Sequence, residues 1–218
     1  MSSHAASAAA LTPDFLASVS FLAMTHPKGP WVLVAIWYPP EKKGKSEIEA
    51  GTFGPNTEDD CLTFLRKHHA LKHEIYWTVN RIAKRVTRKP RRDEFVSVPY
   101  LHLDLDPNEA EELKEGGWER ERARIKAVID SMEPKPSFVI DSGGGYGVFW
   151  ALEDPIQLDG SEEQYEDAKL YNVALENKYG GDNCHNIDRI MRLPGTINWG
   201  LNPKKVHKGR KPRLAVLL

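Results

Sequence analysis

The chain has only two cysteines in 218 residues, Cys61 and Cys184. They lie far apart, so no disulfide framework can be read from them, which agrees with a reducing cytoplasm. No second Cys/His pair at finger spacing accompanies Cys184-His185, so zinc is not expected. His68, His69 and His73 read as exposed residues of a polar helix end. No apolar run approaches the roughly 20 residues of a membrane helix, and no membrane partner is expected. The Ala/Ser-rich start, residues 1–10, lacks the basic flank and long apolar core of a signal peptide and reads as a disordered tail. A global basic excess is also missing. The formal net charge is −1, so a nucleic-acid partner must be held by local patches.

Charge is unevenly spread. Arg81–Arg92 and Lys204–Arg213 are dense in Lys and Arg, while Glu109–Glu121 and Glu153–Asp167 are acidic. Hydrophobic content of 40% and charged content of 28% are normal for a soluble globular protein, and 218 residues fit one sizeable domain or two small modules sharing a core. We expect residues 11–218 to form it, with an α/β module over 11–97 and a catalytic module over 98–218.

Helical spacing predicts a first helix over Thr12–Met24, with Thr12 as its N-cap and Pro13 at its first position. Trp31–Tyr38 reads as a strand and Pro39–Pro55 as a loop. Thr57–Leu71 has acids early and bases late, which suits a helix. Glu74–Asn80 reads as a strand that runs straight into the basic segment. That segment is either a cationic grip on a phosphate backbone or a solvated face, and Tyr76 and Trp77 before it favour nucleic acid.

The central stretch is Val98-Pro99-Tyr100-Leu101-His102-Leu103-Asp104-Leu105-Asp106-Pro107. Alternation along a strand puts Leu101, Leu103 and Leu105 on one face, and Asp104 and Asp106 together on the other. Paired acids on a rigid strand call for a cation, and Mg²⁺ takes one or two carboxylates with water and phosphate oxygens. A solvated strand end explains the pair equally well when it is taken alone. Asn108–Met132 is then helical and broken at Gly116-Gly117. Strands at Ser137–Asp141 and Tyr146–Leu152 flank the turn Ser142-Gly143-Gly144-Gly145. Such a turn can offer amides to phosphate oxygens, or it can simply close a hairpin. Gly160–Tyr179 reads as a helix capped by Ser161 and Gly180, and Arg213–Leu218 as a final strand. The abrupt end after it suggests a piece of a longer chain.

Three acids, the Asp104/Asp106 pair and Asp188, bracket the glycine turn, and cations follow. Three carboxylates suit two divalent ions, which can hold the attacking and leaving oxygens of a phosphoryl transfer in line. Lys or Arg must then meet the triphosphate.

With these residues the chain resembles the archaeo-eukaryotic primase superfamily, and within it the primase domains of plasmid and phage replication proteins. Three motifs carry the likeness: Leu103-Asp104-Leu105-Asp106; Ser142-Gly143-Gly144-Gly145-Tyr146 with the strand to Trp150; and Asp188 followed by Arg192-Leu193-Pro194-Gly195-Thr196-Ile197-Asn198. The Arg-Leu-Pro-Gly-Thr-x-Asn string is the most specific of these. Tyr76–Asn80 also resembles the family's upstream strand. The likeness covers Ile75 to the C-terminus.

The resemblance implies an α+β fold, an RRM-like antiparallel sheet with helices on one face, joined to the N-terminal α/β module. It implies that Asp104, Asp106 and Asp188 bind two Mg²⁺ or Mn²⁺ ions and are catalytic. Ser142, Gly143, Gly144, Gly145 and Tyr146 would approach the incoming nucleoside triphosphate, as would Arg192, Asn198 and Lys204. Asn80, Arg81, Lys84, Arg85 and Arg88 would touch a single-stranded DNA template. Many family members carry a His in the second motif, expected here at Gly147; this chain has Gly.

The implied activity is that of a template-dependent primase-polymerase, a nucleotidyltransferase of plasmid or phage replication. A helicase or other replication protein C-terminal to this chain would be its partner. The alternative is a non-catalytic single-strand or origin-binding module of the same fold. A relaxase-like nuclease ranks last, because His102-Leu103-Asp104 lacks the second His such a strand needs.

Overall fold

The computed structural model describes residues 11–218; the expected tail at 1–10 lies outside the described residues. The elements in chain order are α1 (Phe15–Thr25), β1 (Trp31–Trp37), β2 (Glu47–Phe53), α2 (Glu58–Ala70), β3 (Glu74–Thr78), β4 (Arg81–Ile82) and β5 (Phe95–Leu105). After these come α3 (Glu109–Glu112), α4 (Gly117–Asp130), β6 (Phe138–Asp141), β7 (Tyr146–Gln157) and α5 (Glu162–Tyr179). Short strands complete the fold: β8 (Ile190–Arg192), β9 (Ile197–Asn198), β10 (Arg213–Leu214) and β11 (Val216–Leu217). The result is the expected mixed α+β fold, built on antiparallel sheets.

One sheet has the order β2-β1-β3-β8 and another the order β11-β6-β7-β5-β4; β9 and β10 form a small third. The two larger sheets exchange strands across residue 98. β8 comes from the C-terminal half and pairs with β3, while β4 comes from the N-terminal half and pairs with β5.

β5 is the spine. Its register with β7 runs from Ser97↔Gln157 to Leu105↔Tyr146, with one bulge near Pro99, which cannot donate to a ladder. Leu103 and Leu105 pack with Ile125 and Ile129 of α4 and with Val148 and Trp150 of β7. Beyond Ser97 the other edge of β5 is closed by side chain and loop: the His102 amide donates to Asn172 Oδ1 (3.0 Å), and the Asp182 amide donates to the Asp104 carbonyl (2.9 Å). Capping an open edge in this way keeps it from pairing with other chains.

Several expectations need correction. Helix α1 begins at Phe15, and its N-cap is Asp14, whose Oδ1 accepts from the Ala17 amide at 2.9 Å. Thr12 stands two residues too early to reach that donor. The expected loop at 39–55 contains β2, paired with β1 from Trp31↔Phe53 to Trp37↔Glu47. β2 is an edge strand, and edge strands carry charge and Gly that hide the period-2 signal. The final strand divides at Ala215 into β10 and β11, which serve different sheets.

His68 is fully buried rather than exposed; it continues the Cys61, Phe64, Leu65 stripe of α2 at helical spacing. His26 and His102 are buried as well, and burial lowers all three to about 4. His102 sits with Nε2 3.0 Å from the Cys184 carbonyl and Nδ1 3.3 Å from Asn172 Nδ2, which fixes a neutral ring. A lowered histidine stabilises the fold fully above the unfolded value of 6.5 and loses that contribution as pH falls toward 4. Each such ring is worth about 2 kcal/mol between pH 7.5 and pH 5. The urea midpoint should therefore drop steeply over that interval, and less steeply in His102→Gln; a flat midpoint would contradict the buried neutral rings.

Candidate active site

A cleft of about 270 Å³ opens where the two large sheets meet. Asp104 and Asp106 enter it from the end of β5, and Ser142 to Gly144 from the β6–β7 turn. Glu74 and Tyr76 come from β3, Arg189 to Arg192 from β8 and the residue before it, and Asn198, Lys205 and Arg210 from the C-terminal segment. Alternation along β5 puts the leucines in the core and both carboxylates in the cleft, as expected for a half-buried strand.

The two carboxylates differ. Asp106 Oδ2 holds the Lys205 ammonium at 2.5 Å. Asp104 Oδ2 accepts from the Cys184 thiol at 3.4 Å, and Cys184 Sγ accepts from Arg189 Nη2 at 2.6 Å. Burial, and then the charge of Asp106, push the Asp104 carboxyl up to about 6, against the pull of Arg189 and Lys205. Burial and the charge of Asp104 raise the Cys184 thiol, so it stays protonated and can donate.

Arg192 stands largely buried on the facing wall, its side chain still lining the cleft. Its Nη1 lies 2.6 Å from Glu74 Oε2, a charge-to-charge contact rather than an aligned hydrogen bond. Its Nη2 donates to the Tyr76 hydroxyl at 3.1 Å, and the guanidinium stacks 4.4 Å over the Tyr76 ring.

The glycine turn does not offer its amides. Ser142 Oγ accepts from Gly144 (3.2 Å) and Gly145 (2.9 Å), and Asp141 Oδ1 accepts from Gly143 at 2.8 Å. The glycines are needed for close approach instead. A Cβ at Gly145 would fall inside van der Waals contact with Asp106 Oδ1 and 2.5 Å from the Leu105 carbonyl oxygen. Gly143 has φ +75°, which only glycine adopts freely. Asn198 Nδ2 donates to the Ser142 carbonyl at 2.9 Å and so ties the turn to β9.

Other expected site residues stand elsewhere. Asp188 does not line the cleft; its carboxylate lies 3.7 Å from Lys89, and Arg189 faces the cleft in its place. Among the described residues no three His, Cys, Asp or Glu side chains gather as a metal cage. Tyr146 is buried in the core beneath Arg122, which is 4.7 Å from its ring. Lys204 is exposed and outside the cleft, whereas its neighbour Lys205 reaches in. Gly147 sits opposite Asp104 in the β5–β7 register, and a Cβ there would come within 3.0 Å of the Phe149 ring and 3.2 Å of Met191. A His side chain would have to displace both.

The basic segment is largely pinned. Asn80 is buried and donates to the Ile187 carbonyl at 2.8 Å, which fixes the loop ahead of Asp188. Arg85 donates to the Thr52 carbonyl at 3.1 Å, and Arg88 forks onto Glu94 at 2.7 and 2.8 Å. Arg81 and Lys84 remain exposed.

Sequence reasoning missed Glu74, Arg189, Lys205 and Arg210. Lys205 and Arg210 sat unassigned in the basic stretch Lys204–Arg213, and Glu74 was visible as an acid opening the otherwise uncharged strand Glu74–Thr78.

No family model matches this sequence. No curated protein matches it either. Two solved structures are similar in fold. The archaeo-eukaryotic primase domain of the cyanophage S-2L primase-polymerase superposes with a TM-score of 0.59 at 18% identity, over 95% of this chain and 90% of that one. The primase RepB′ superposes with a TM-score of 0.52 at 13% identity; the match takes in 93% of this chain and 55% of RepB′, about half its length. Similarity at this level over nearly the whole chain establishes architecture. The chain therefore has the fold of the archaeo-eukaryotic primase domains.

Proposed function

We propose that the chain is a divalent-metal-dependent nucleotidyltransferase of the primase-polymerase kind, acting on nucleoside triphosphates along a single-stranded DNA template. The observation that carries this reading is the side-by-side placement of Asp104 and Asp106 in a cleft whose other walls present Arg189, Arg192, Lys205 and Arg210. Acids to hold a cation thus face bases to hold phosphate.

The donor set fits a hydrated Mg²⁺ or Mn²⁺. Two adjacent carboxylates leave the remaining positions to water and phosphate oxygens, and a positive charge, the Lys205 ammonium, already rests on Asp106. When bound, the cation neutralises developing charge and lowers the pKa of the attacking hydroxyl. The carboxylates that hold it are Asp104 and Asp106. Asp188 is not assigned as a ligand, and the third carboxylate that lines the cleft, Glu74, is taken up by Arg192 and two loop amides, so no ligand is assigned for the expected second ion.

The remaining work falls to this chain's own groups. Asp104 must be ionised to hold the ion, and the ion's own charge would favour that form against the burial that raises the free carboxyl. Lys205 leaves Asp106 for a phosphate oxygen. Arg192, held rigid by Glu74 and Tyr76, needs no reorientation to meet charge on the transferring phosphoryl group.

Extension of a labelled primer on a single-stranded template with Mn²⁺ or Mg²⁺ tests the reading. Incorporation that EDTA abolishes is expected. Template binding without incorporation in either metal would leave the non-catalytic binding module, the reading that Gly147 and the displaced Asp188 favour.

Gly145→Ala supplies a finer test. The added methyl must push Asp106 or the turn aside, and a misplacement near 1 Å costs on the order of 10²-fold in rate. Incorporation should fall by about that factor with template binding unchanged. A variant as active as the wild type would mean that Asp106 is not held against the turn.

A further inference from the structure

We infer that Trp199, with His69 and Lys72, forms a stacking platform at the rim of the cleft that receives a base of single-stranded nucleic acid. The inference rests on the polymerase reading only for what the cleft itself does. Trp199 lies between Asn198 and Gly200, which both line the cleft, yet is not itself part of the cavity wall. A ligand that fills the cleft does not meet the indole. A strand that leaves the cleft across this rim does.

The loop is held from beneath. Glu74, 3% exposed, accepts the Trp199 amide on Oε2 at 3.3 Å and the Leu201 amide on Oε1 at 3.2 Å. Arg192 locks the same carboxylate from the other side. Two backbone amides on one buried carboxylate fix the loop before any ligand arrives, which lowers the ordering cost of binding. From this rigid base Leu201 remains 48% exposed, and the partly buried Trp199 reaches the C-terminal end of α2. There the His69 ring lies 5.3 Å away at 35°, and the Lys72 ammonium hangs 5.7 Å above the indole.

Neither Lys72 nor Arg66, one helical turn before His69, pairs with an acid among the described residues. In the segment first expected to grip a template, Arg88 and Arg92 are spent on glutamates, while Arg81 and Lys84 stay exposed as the rival cations. A partly exposed ring with an acid-free ammonium, Lys72, beside it suits an unstacked base and its flanking phosphate. Stacking accepts any base, so the platform selects single strand over duplex rather than a sequence.

Anisotropy of a fluorescein-labelled oligo(dT), measured across a salt series in the absence of nucleotide, tests this. Trp199→Ala is expected to weaken binding about 10-fold or more, and Trp199→Phe to retain most of it. Lys72→Ala should lower the salt slope by about one, and it does so at an exposed position where folding is not at stake. Wild-type affinity in Trp199→Ala together with an unchanged slope in Lys72→Ala would overturn the platform. Binding that instead collapses in an Arg81→Ala, Lys84→Ala variant while both platform variants bind normally would also overturn it. The assay needs no incorporation. A wild-type protein that fails to extend primers yet depends on Trp199 for binding would sink the polymerase reading and leave the platform standing.

Discussion

An Asp104→Asn, Asp106→Asn variant is expected to lose nucleotide incorporation by on the order of 10³-fold or more and yet to be harder to unfold at pH 7.5 without metal. Both effects come from one arrangement. The two carboxylates share the cleft, and burial of Asp104 beside Asp106 carries a cost that shows in its rise to about 6. A raised carboxylate destabilises the folded state. The penalty is absent below the ordinary value of 3.8, grows as pH rises through it, and is complete above about 6. Two units correspond to about 3 kcal/mol, and Lys205, which loses its partner in the variant, offsets part of that. A net gain of 1–2 kcal/mol at pH 7.5, vanishing near pH 4, is the expected result of paired denaturation curves. Saturating Mn²⁺ should stabilise the wild type and leave the variant unmoved. A variant that loses activity with no change in its pH-dependent stability would mean that the acids are well solvated and that the strain ascribed to them does not exist. Incorporation that survives in the variant would remove them from the metal site altogether.

Much of this centre was legible in the sequence because its chemistry is written along one strand. The period-2 pattern from Leu101 to Asp106 fixed both the core face and the cleft face, and Pro107 marked where the strand stops. The glycine run was legible as a hairpin turn, but its purpose was not. Whether amides point at a ligand or at Ser142 depends on one hydroxyl rotamer, and the need for glycine at 145 comes from Asp106, nearly 40 residues away in the chain. Lys205 rather than Lys204 is a matter of which of two adjacent lysines the turn after Asn202 aims inward, and composition cannot distinguish them. Asp188 fell in a motif string but faces Lys89, because Asn80 anchors the loop through the Ile187 carbonyl. The exchange of β4 and β8 between sheets escaped for a similar reason. Strands of two or three residues have no period to read, and only tertiary pairing defines them.

Glu74→Ala should be the most damaging single change to the fold, lowering stability by about 3–5 kcal/mol. Arg192 would be left in the cleft wall, mostly out of water, with the Tyr76 hydroxyl as its remaining partner, and a guanidinium cannot shed its proton to escape the cost. The amides of Trp199 and Leu201 lose their acceptor in the same stroke, so the rim loop would loosen even where the core holds. For a chain of this length the melting temperature should fall by roughly 10 °C. A Glu74→Leu, Arg192→Met double variant distinguishes pair from partner. Replacing both charges with apolar groups of similar size removes the uncompensated charge, so most of the lost stability should return. Oligo(dT) binding should stay weak because the loop amides remain unclamped, and incorporation should stay low because the cleft has lost its rigid guanidinium. If the double variant were as unstable as Glu74→Ala, the damage would lie in the lost amide clamp rather than in the stranded charge. If Glu74→Ala were as stable as the wild type, Arg192 would have to reach water, and the cleft wall would not be the preorganised surface on which the phosphoryl-transfer reading depends.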